Sequence, residues 1–466
     1  MQEILIRNGR IIDPSQDVDG TGDVLIRDGR ISAIWTSGSG SSLNGAVGNE
    51  LIVIDASGCV VCPGFVDLHA HLREPGYEDK ETIATGARAA AAGGFTTVCC
   101  MPNTNPAIDN LATLNYVRQV AASESIIRVL PVAAITKKLA GVELCEMGEL
   151  ARGGAVGFSD DGRPVPESLV MRYALEYARM LDRPIISHCE DLDLAKGGVM
   201  NEGLVATKLG LRGIPAAAED IIVARDIALA ELAGGRLHIT HVSTAGAVEL
   251  IRRAKEKGLR VSADATPHHL VLTDEWVAGQ RRATGMSSSW APMPPYNTNT
   301  KVNPPLRTRV DTEALVQGLR DGTIDAIATD HAPHTVVDKQ CEYDQAEFGI
   351  SGLETALGLL MTLVQDGHID LDLLISKLTA GPARVLGLPF GTLEEGDVAD
   401  VTIFDPQMEW RVDPDTFASK GKNTPLAGLV LRGRVVYAIA GGSIAFSDRK
   451  LSRVARGVEA RGVVEA

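Results

Sequence analysis

The chain has 466 residues, 45% of them hydrophobic and 23% charged, an ordinary globular composition with ample sequence for a large core. A net charge of −15 argues against nucleic acid or an anionic membrane surface as the main partner, and 4% aromatics leave little material for base stacking. Residues 1–7 show no basic stretch leading into an apolar one and no later run reaches membrane-spanning length, so a cytoplasmic protein is expected.

The first sixty residues carry a near repeat, Ile4-Leu5-Ile6-Arg7-Asn8-Gly9-Arg10-Ile11-Ile12 and Val24-Leu25-Ile26-Arg27-Asp28-Gly29-Arg30-Ile31. Asn-Gly and Asp-Gly between apolar runs predict hairpins with type I′ turns at both places. A related pattern returns at 399–405 and 429–436, so the two chain ends are expected to build one small β-sandwich domain, from 1–61 and 389–450. Cys59-Val60-Val61-Cys62 has the spacing of a redox or zinc motif. No second pair accompanies it, and its valines suit a strand. The seven scattered cysteines make no disulfide framework.

From 62 to 388 short apolar strands alternate with helical segments, which predicts a parallel sheet. Eight strands are expected, at 65–68, 96–101, 129–134, 155–158, 184–187, 237–240, 260–263 and 326–329. Alanine-rich helices are expected at 82–92, 168–181, 219–233 and 245–257, with Gly93-Gly94 as a helix stop. Eight βα units predict a closed (β/α)8 TIM barrel. Residues 272–306 form a long Pro- and Ser-containing excursion, 335–347 read as a charged lid beside the site, and the tail 451–466 reads as weakly packed.

Barrel active sites lie where the strands end. Here those ends carry His69 and His71, Asn103, Asp160-Asp161, His188, His241, His268-His269 and Asp330. In a strand, residues i and i+2 share a face, so His69-Ala70-His71 aims two imidazoles at one point. One zinc needs about three protein ligands plus water. His69, His71, Asp161, His188, His241 and Asp330 make six, enough for two ions sharing one carboxylate, and water between two cations loses a proton near neutral pH.

These residues sit in motifs that resemble class I dihydroorotases of the amidohydrolase superfamily. The motifs are His69-Ala70-His71-Leu72-Arg73-Glu74-Pro75-Gly76, Met101-Pro102-Asn103-Thr104, Gly157-Phe158-Ser159-Asp160-Asp161-Gly162, Lys301-Val302-Asn303-Pro304-Pro305-Leu306-Arg307 and Ala328-Thr329-Asp330-His331-Ala332-Pro333-His334. The resemblance runs over essentially the whole chain. It implies that His69, His71 and Asp330 hold one zinc, His188 and His241 a second, and that an aspartate bridges them. Many superfamily members bridge with a carboxylated lysine; here that position reads Asp160-Asp161. Spacing against similar sequences favours Asp161.

The implied reaction is the reversible cyclisation of N-carbamoyl-L-aspartate to L-dihydroorotate in pyrimidine biosynthesis. A metal-bridging hydroxide attacks the ring carbonyl, and Asp330 is the general acid and base. Arg73, read as continuing the strand face of His71, has the planar fork that suits a carboxylate, and joins Asn103 and His334 in a clamp for the substrate carboxylate. The resemblance adds Asn303 and the backbone at Phe348 and Gly349 as contacts to the ring amides, with His71 beside the substrate. It also implies a homodimer and raises association with aspartate transcarbamoylase. His268, His269 and His331 are expected to be structural neighbours. Two competing readings are a hydantoinase or allantoinase, expected to show the lysine bridge and to lack Arg73, and a noncatalytic partner of aspartate transcarbamoylase, expected to have lost metal ligands.

Overall fold

Isoleucine and valine alternate through the opening segment, and the computed structural model, which describes residues 3–36, 50–281, 290–448 and 452–455, shows them as five strands. These are β1 (Glu3–Asp13), β2 (Val18–Arg27), β3 (Arg30–Thr36), β4 (Glu50–Asp55) and β5 (Val60–Pro63). Then come β6 (Phe65–Ala70), β7 (Phe95–Cys100), β8 (Arg128–Pro131), β9 (Pro184–Ser187), a short pair β10 (Met200–Asn201) and β11 (Gly213–Ile214), β12 (Arg236–Ile239), β13 (Val261–Ala265) and β14 (Ala326–Ile327). The chain returns to β structure in β15 (Val401–Arg411), β16 (Val430–Ala440), β17 (Ser443–Ser447) and β18 (Ser452–Ala455).

The two chain ends share one sheet in the order β17-β16-β15-β5-β1-β2-β3, with β4 also on β1 and β18 on β4. Its own core joins Ile4, Ile6, Val24 and Ile52 to Val61, Val401, Ile403 and Val436. Asp28 and Gly29 form the expected two-residue turn, both with positive φ (51° and 76°). Asn8-Gly9 does not. β1 runs straight through it as a bulge, its pairing with β2 shifting register between Ile6 and Gly9. The turn signal is overridden because β1 is the central strand, pairing with β4 through Glu3–Arg7 and with β5 through Arg10 and Ile11. A Cβ on Gly9 would meet Val61 Cγ2 at 2.4 Å, so the dipeptide serves close packing. Residues 452–455 of the expected tail pair with β4, and the rest of 451–466 lies outside the described residues.

The middle of the chain is the eight-stave barrel. β6-β7-β8 form one run of parallel strands and β9-β12-β13-β14 another. The fourth predicted strand is present only as an extended segment: Phe158 bridges Ala133 on one side and Ile185 on the other. Ala70 bridges His331 and closes the circle. Helices Ile83–Ala92, Leu111–Glu124, Met147–Arg152, Ser168–Met180, Ala217–Ala233, Ala245–Glu256, Arg309–Arg320 and Ala356–Gln365 follow the staves in turn. The first is fixed by a Thr82–Thr85 capping box and ends at Gly93-Gly94, where Gly94 (φ 88°) offers its carbonyl to Thr402 Oγ1 of the sheet at 2.6 Å. Among the described residues no helix is long and apolar enough to cross a membrane.

A plug of Leu68, Cys99, Met101, Val132, Ile186, Ala326 and Ala328 fills the barrel interior. Period two then decides what lies above it. Two residues beyond Met101, Ile186 and Ala328 come Asn103, His188 and Asp330, each at the open end of the same face.

Candidate metal centre

β6 delivers the first two imidazoles. Its pairing with β7 shifts register between Asp67 and Ala70, the sort of irregularity that re-aims side chains beside active sites. His69 Nε2 and His71 Nε2 stand 3.3 Å apart. His69 Nε2 is 3.2 Å from Asp161 Oδ2 and 3.6 Å from Asp330 Oδ1; His71 Nε2 is 3.5 and 3.1 Å from the same two oxygens. The other oxygen of Asp161 faces the opposite pair, Oδ1 lying 3.3 Å from His241 Nε2 and 3.5 Å from His188 Nδ1. Asp161 therefore presents one oxygen to each pair of histidines. All six residues are buried.

Asp160 points elsewhere. It accepts from the amides of Ile135 and Thr136 at 2.8 and 2.9 Å and from the Thr136 hydroxyl, tying the fourth stave to the third. Adjacent residues of an extended segment face opposite ways, so only one of the two reaches the histidines.

The donor set suits divalent cations. Atoms held about 2.1 Å from one ion at tetrahedral angles stand about 3.4 Å apart, close to the spacings above. His69, His71 and Asp330 form one group of convergent donors, and His69, Asp161 and His241 another. Burial pushes the His69 and His188 imidazoles down, but the carboxylates beside them reverse this, lifting His69 to about 9 through Asp161 and His188 to about 10 through Asp161 and Glu190. Burial raises the Asp161 and Asp330 carboxyls, and the surrounding histidines more than cancel it, holding both below their ordinary range. Paired buried carboxylates attract positive charge, and protons on histidine are what the chain alone supplies.

The ring nitrogens turned away from the centre fix the histidine orientations. His69 Nδ1 meets Thr240 Oγ1 at 2.8 Å, and His71 Nδ1 meets Asn103 Oδ1 at 2.9 Å. His241, with a strained φ of 39°, has its amide held by Asp264 Oδ1 at 2.7 Å. Asp330 is likewise strained, at φ 46°. Strain at two of the six residues is what a site imposed on a scaffold shows.

Arg73 departs from the expected strand face. β6 ends at Ala70, and Arg73 sits in the loop beyond with φ 61°. Its Nη2 nevertheless lies 3.4 Å from His334 Nε2, while Nε donates to the Pro333 carbonyl. Lys80 Nζ approaches His334 Nδ1 at 3.4 Å. Burial, with Arg73, Lys339 and Lys80 adding to it, drives His334 well below its usual range and keeps its ring neutral. Asp338 lies 3.3 Å from Lys80 and 3.7 Å from His334, whereas among the described residues Arg73, half-buried, has no carboxylate within 4 Å. Phe348 offers its carbonyl to His334 Nε2 at 2.8 Å. Both backbone polar groups of Gly349 are engaged, the amide to Lys301 and the carbonyl to Asn423. Against the effect of burial, His188 and then Asn303 lower the carboxyl of Glu190 beside the centre.

The Dihydro-orotase-like family profile matches residues 58–247. A dihydroorotase of Syntrophus aciditrophicus is 50% identical over 446 residues, covering 96% of this chain and 100% of its own. One from Anaeromyxobacter dehalogenans is 52% identical over 454 residues, with 97% and 100% covered. The chain belongs to the dihydroorotase family. Among solved structures, the L-hydantoinase (dihydropyrimidinase) of Arthrobacter aurescens superimposes with a TM-score of 0.81 at 25% identity, over 97% of this chain and 98% of that one. The dihydropyrimidinase of Brevibacillus agri NCHU1002 gives 0.79 at 23%, over 96% and 95%. The TIM-barrel and β-sandwich architecture of this dihydroorotase-family chain is thus shared with the hydantoinases.

For a dihydroorotase several supporting residues here were not visible in the sequence. Asp264 accepts from Thr240, whose hydroxyl orients His69, and from His241 itself. Asp67 accepts the amide and hydroxyl of Thr329, at 2.8 and 2.6 Å, and so seats Asp330. Buried Glu81 reaches His331 at 3.3 Å, so His331 links Asp330 to the outer shell as a neighbour. His269 lies between Thr266 Oγ1 and the Pro304 carbonyl, and His268 is buried beside it. The i, i+2 logic that singled out His69 and His71 would also have flagged Glu190 after His188.

Proposed function

We propose that this centre, holding two zinc ions, catalyses the reversible interconversion of N-carbamoyl-L-aspartate and L-dihydroorotate. The observation that carries this reading is the junction of two features: six convergent donors with an aspartate between the histidine pairs, and beside them the guanidinium of Arg73, which no carboxylate of the described residues pairs. Neutral hydantoin rings need no such cation.

His69, His71 and Asp330 are the protein's donors to one ion, His188 and His241 to the other, and Asp161 serves both. Ions held there supply Lewis acidity, bringing the pKa of water to about 7 and polarising the ring carbonyl. Arg73 and His334 bind the substrate carboxylate and fix the ring over the centre. Asn103 supports this indirectly, its side-chain carbonyl steadying His71 while its amide nitrogen lies by Gly162. Asn303 and the Phe348-Gly349 backbone line the ring amides. In hydrolysis the oxygen of water bonds to the carbonyl carbon beside the ring methylene, the bond from that carbon to the imide nitrogen breaks, and Asp330 carries the proton from the water to the departing nitrogen. Cyclisation runs the same steps backwards. A homodimer belongs to this reading, and binding to an aspartate transcarbamoylase is checked by co-elution.

The test is turnover by purified, zinc-loaded protein, followed by ring amide absorbance, with hydantoin and allantoin as controls. Turnover of dihydroorotate alone is expected. Turnover of a control ring without dihydroorotate would refute the reading.

A further inference from the structure

The four histidines are not supported alike. Behind His69 stands a hydroxyl, behind His71 an amide carbonyl, and among the described residues His241 Nδ1 has no hydrogen-bond partner. His188 alone faces a carboxylate: its Nε2, buried and without a hydrogen-bond partner, lies 3.7 Å from Glu190 Oε2. The Glu190 side chain is 12% exposed, too enclosed to be a solvated surface charge. It reaches this place because His188-Cys189-Glu190 continues beyond β9, with Cys189 turned into the core.

The charge count gives this carboxylate a purpose. Four neutral imidazoles and two aspartates bring −2 to a centre that takes +4. An imidazole that donates through Nδ1 carries its proton on Nε2, the atom aimed at Glu190. A carboxylate behind that N–H raises the basicity of the donor nitrogen and fixes the ring.

We infer that Glu190 is a positioning residue for the His188/His241 half of the centre, setting the affinity of that half alone. The inference rests on the two-ion reading above, and its test separates the two. Apo-protein is titrated with cobalt(II), following the visible absorption and the heat of binding, for the natural chain, Glu190→Gln and Glu190→Asp. The Gln side chain is isosteric, and melting of each apo-protein checks the fold.

In the natural chain two equivalents bind; a single equivalent would sink the two-ion reading itself. In Glu190→Gln the first equivalent binds as before and the second about 10–100-fold more weakly, with Glu190→Asp recovering part of the loss. Two equivalents bound as in the natural chain would overturn the assignment. So would equal weakening of both, or a lowered apo melting temperature without selective loss of the second ion.

Discussion

Asp330 stands against the first two histidines with its backbone strained, and in the proposed reaction it moves the proton while Arg73 binds the ring's carboxylate. Asp330→Asn keeps the size and one donor oxygen but cannot take a proton. It is expected to lower kcat by about 10²–10⁴ in both directions while metal analysis still finds zinc. Near-natural kcat would remove Asp330 from the proton path. Arg73→Met is expected to raise KM for dihydroorotate about 10–100-fold, from the loss of one charge-assisted contact, with a smaller change in kcat. Steady-state kinetics that show kcat falling and KM unchanged would place Arg73 elsewhere. At this scale the sequence was informative wherever period two applied, as at His69 and His71. It did not decide between Asp160 and Asp161, because neighbours in an extended segment look alike until the Thr136 hydroxyl claims one of them.

The elements around the site are held by buried polar groups. Arg307 closes the 301–307 motif and is 2% exposed. It donates to Ser243 Oγ at 3.1 Å, Asn201 Oδ1 at 3.1 Å and the Ile214 carbonyl at 2.8 Å, and stands 3.7 Å from Glu219. Glu219 in turn accepts the Ser243 amide, just past His241 and before the Thr244 cap of the next helix. Arg307→Met strands the Glu219 charge in the interior and is expected to cost about 3–5 kcal/mol, read as a lower urea midpoint. A midpoint unchanged from the natural chain would show that the network contributes nothing. Such a network is not legible from the sequence, since Arg307, Glu219 and Asn201 are far apart along the chain. The barrel was legible from its alternation, although its fourth stave proved to be a bridged segment. The Asn8-Gly9 turn signal misled because local turn chemistry says nothing about which strands flank the dipeptide. The segment 335–347, read as a lid, is pinned where Lys339 Nζ donates to the Glu347 carbonyl at 2.6 Å and Thr298 Oγ1 to the Lys339 carbonyl at 2.6 Å.

For the whole molecule, the barrel and sandwich are shared with hydantoinases, and the proposed reading rests on an aspartate between the two histidine pairs and on the basic corner around Arg73. In the proposed reading Asp161 serves both ions, so apo-protein made with a chelator is expected to regain activity and melting temperature on zinc alone. At zinc 1,000-fold above its dissociation constant the gain is about 4 kcal/mol. Recovery that depended on added bicarbonate would point to a carboxylated lysine instead. The central claim is that the carboxylate corner makes this fold a dihydroorotase, and the most direct measurement is the ratio of kcat/KM for dihydroorotate to that for dihydrouracil, the same ring without its carboxylate. Two charge-assisted contacts at about 1.5–3 kcal/mol each predict a preference of at least about 100-fold for dihydroorotate. Equal rates, or a preference for dihydrouracil, would contradict the account.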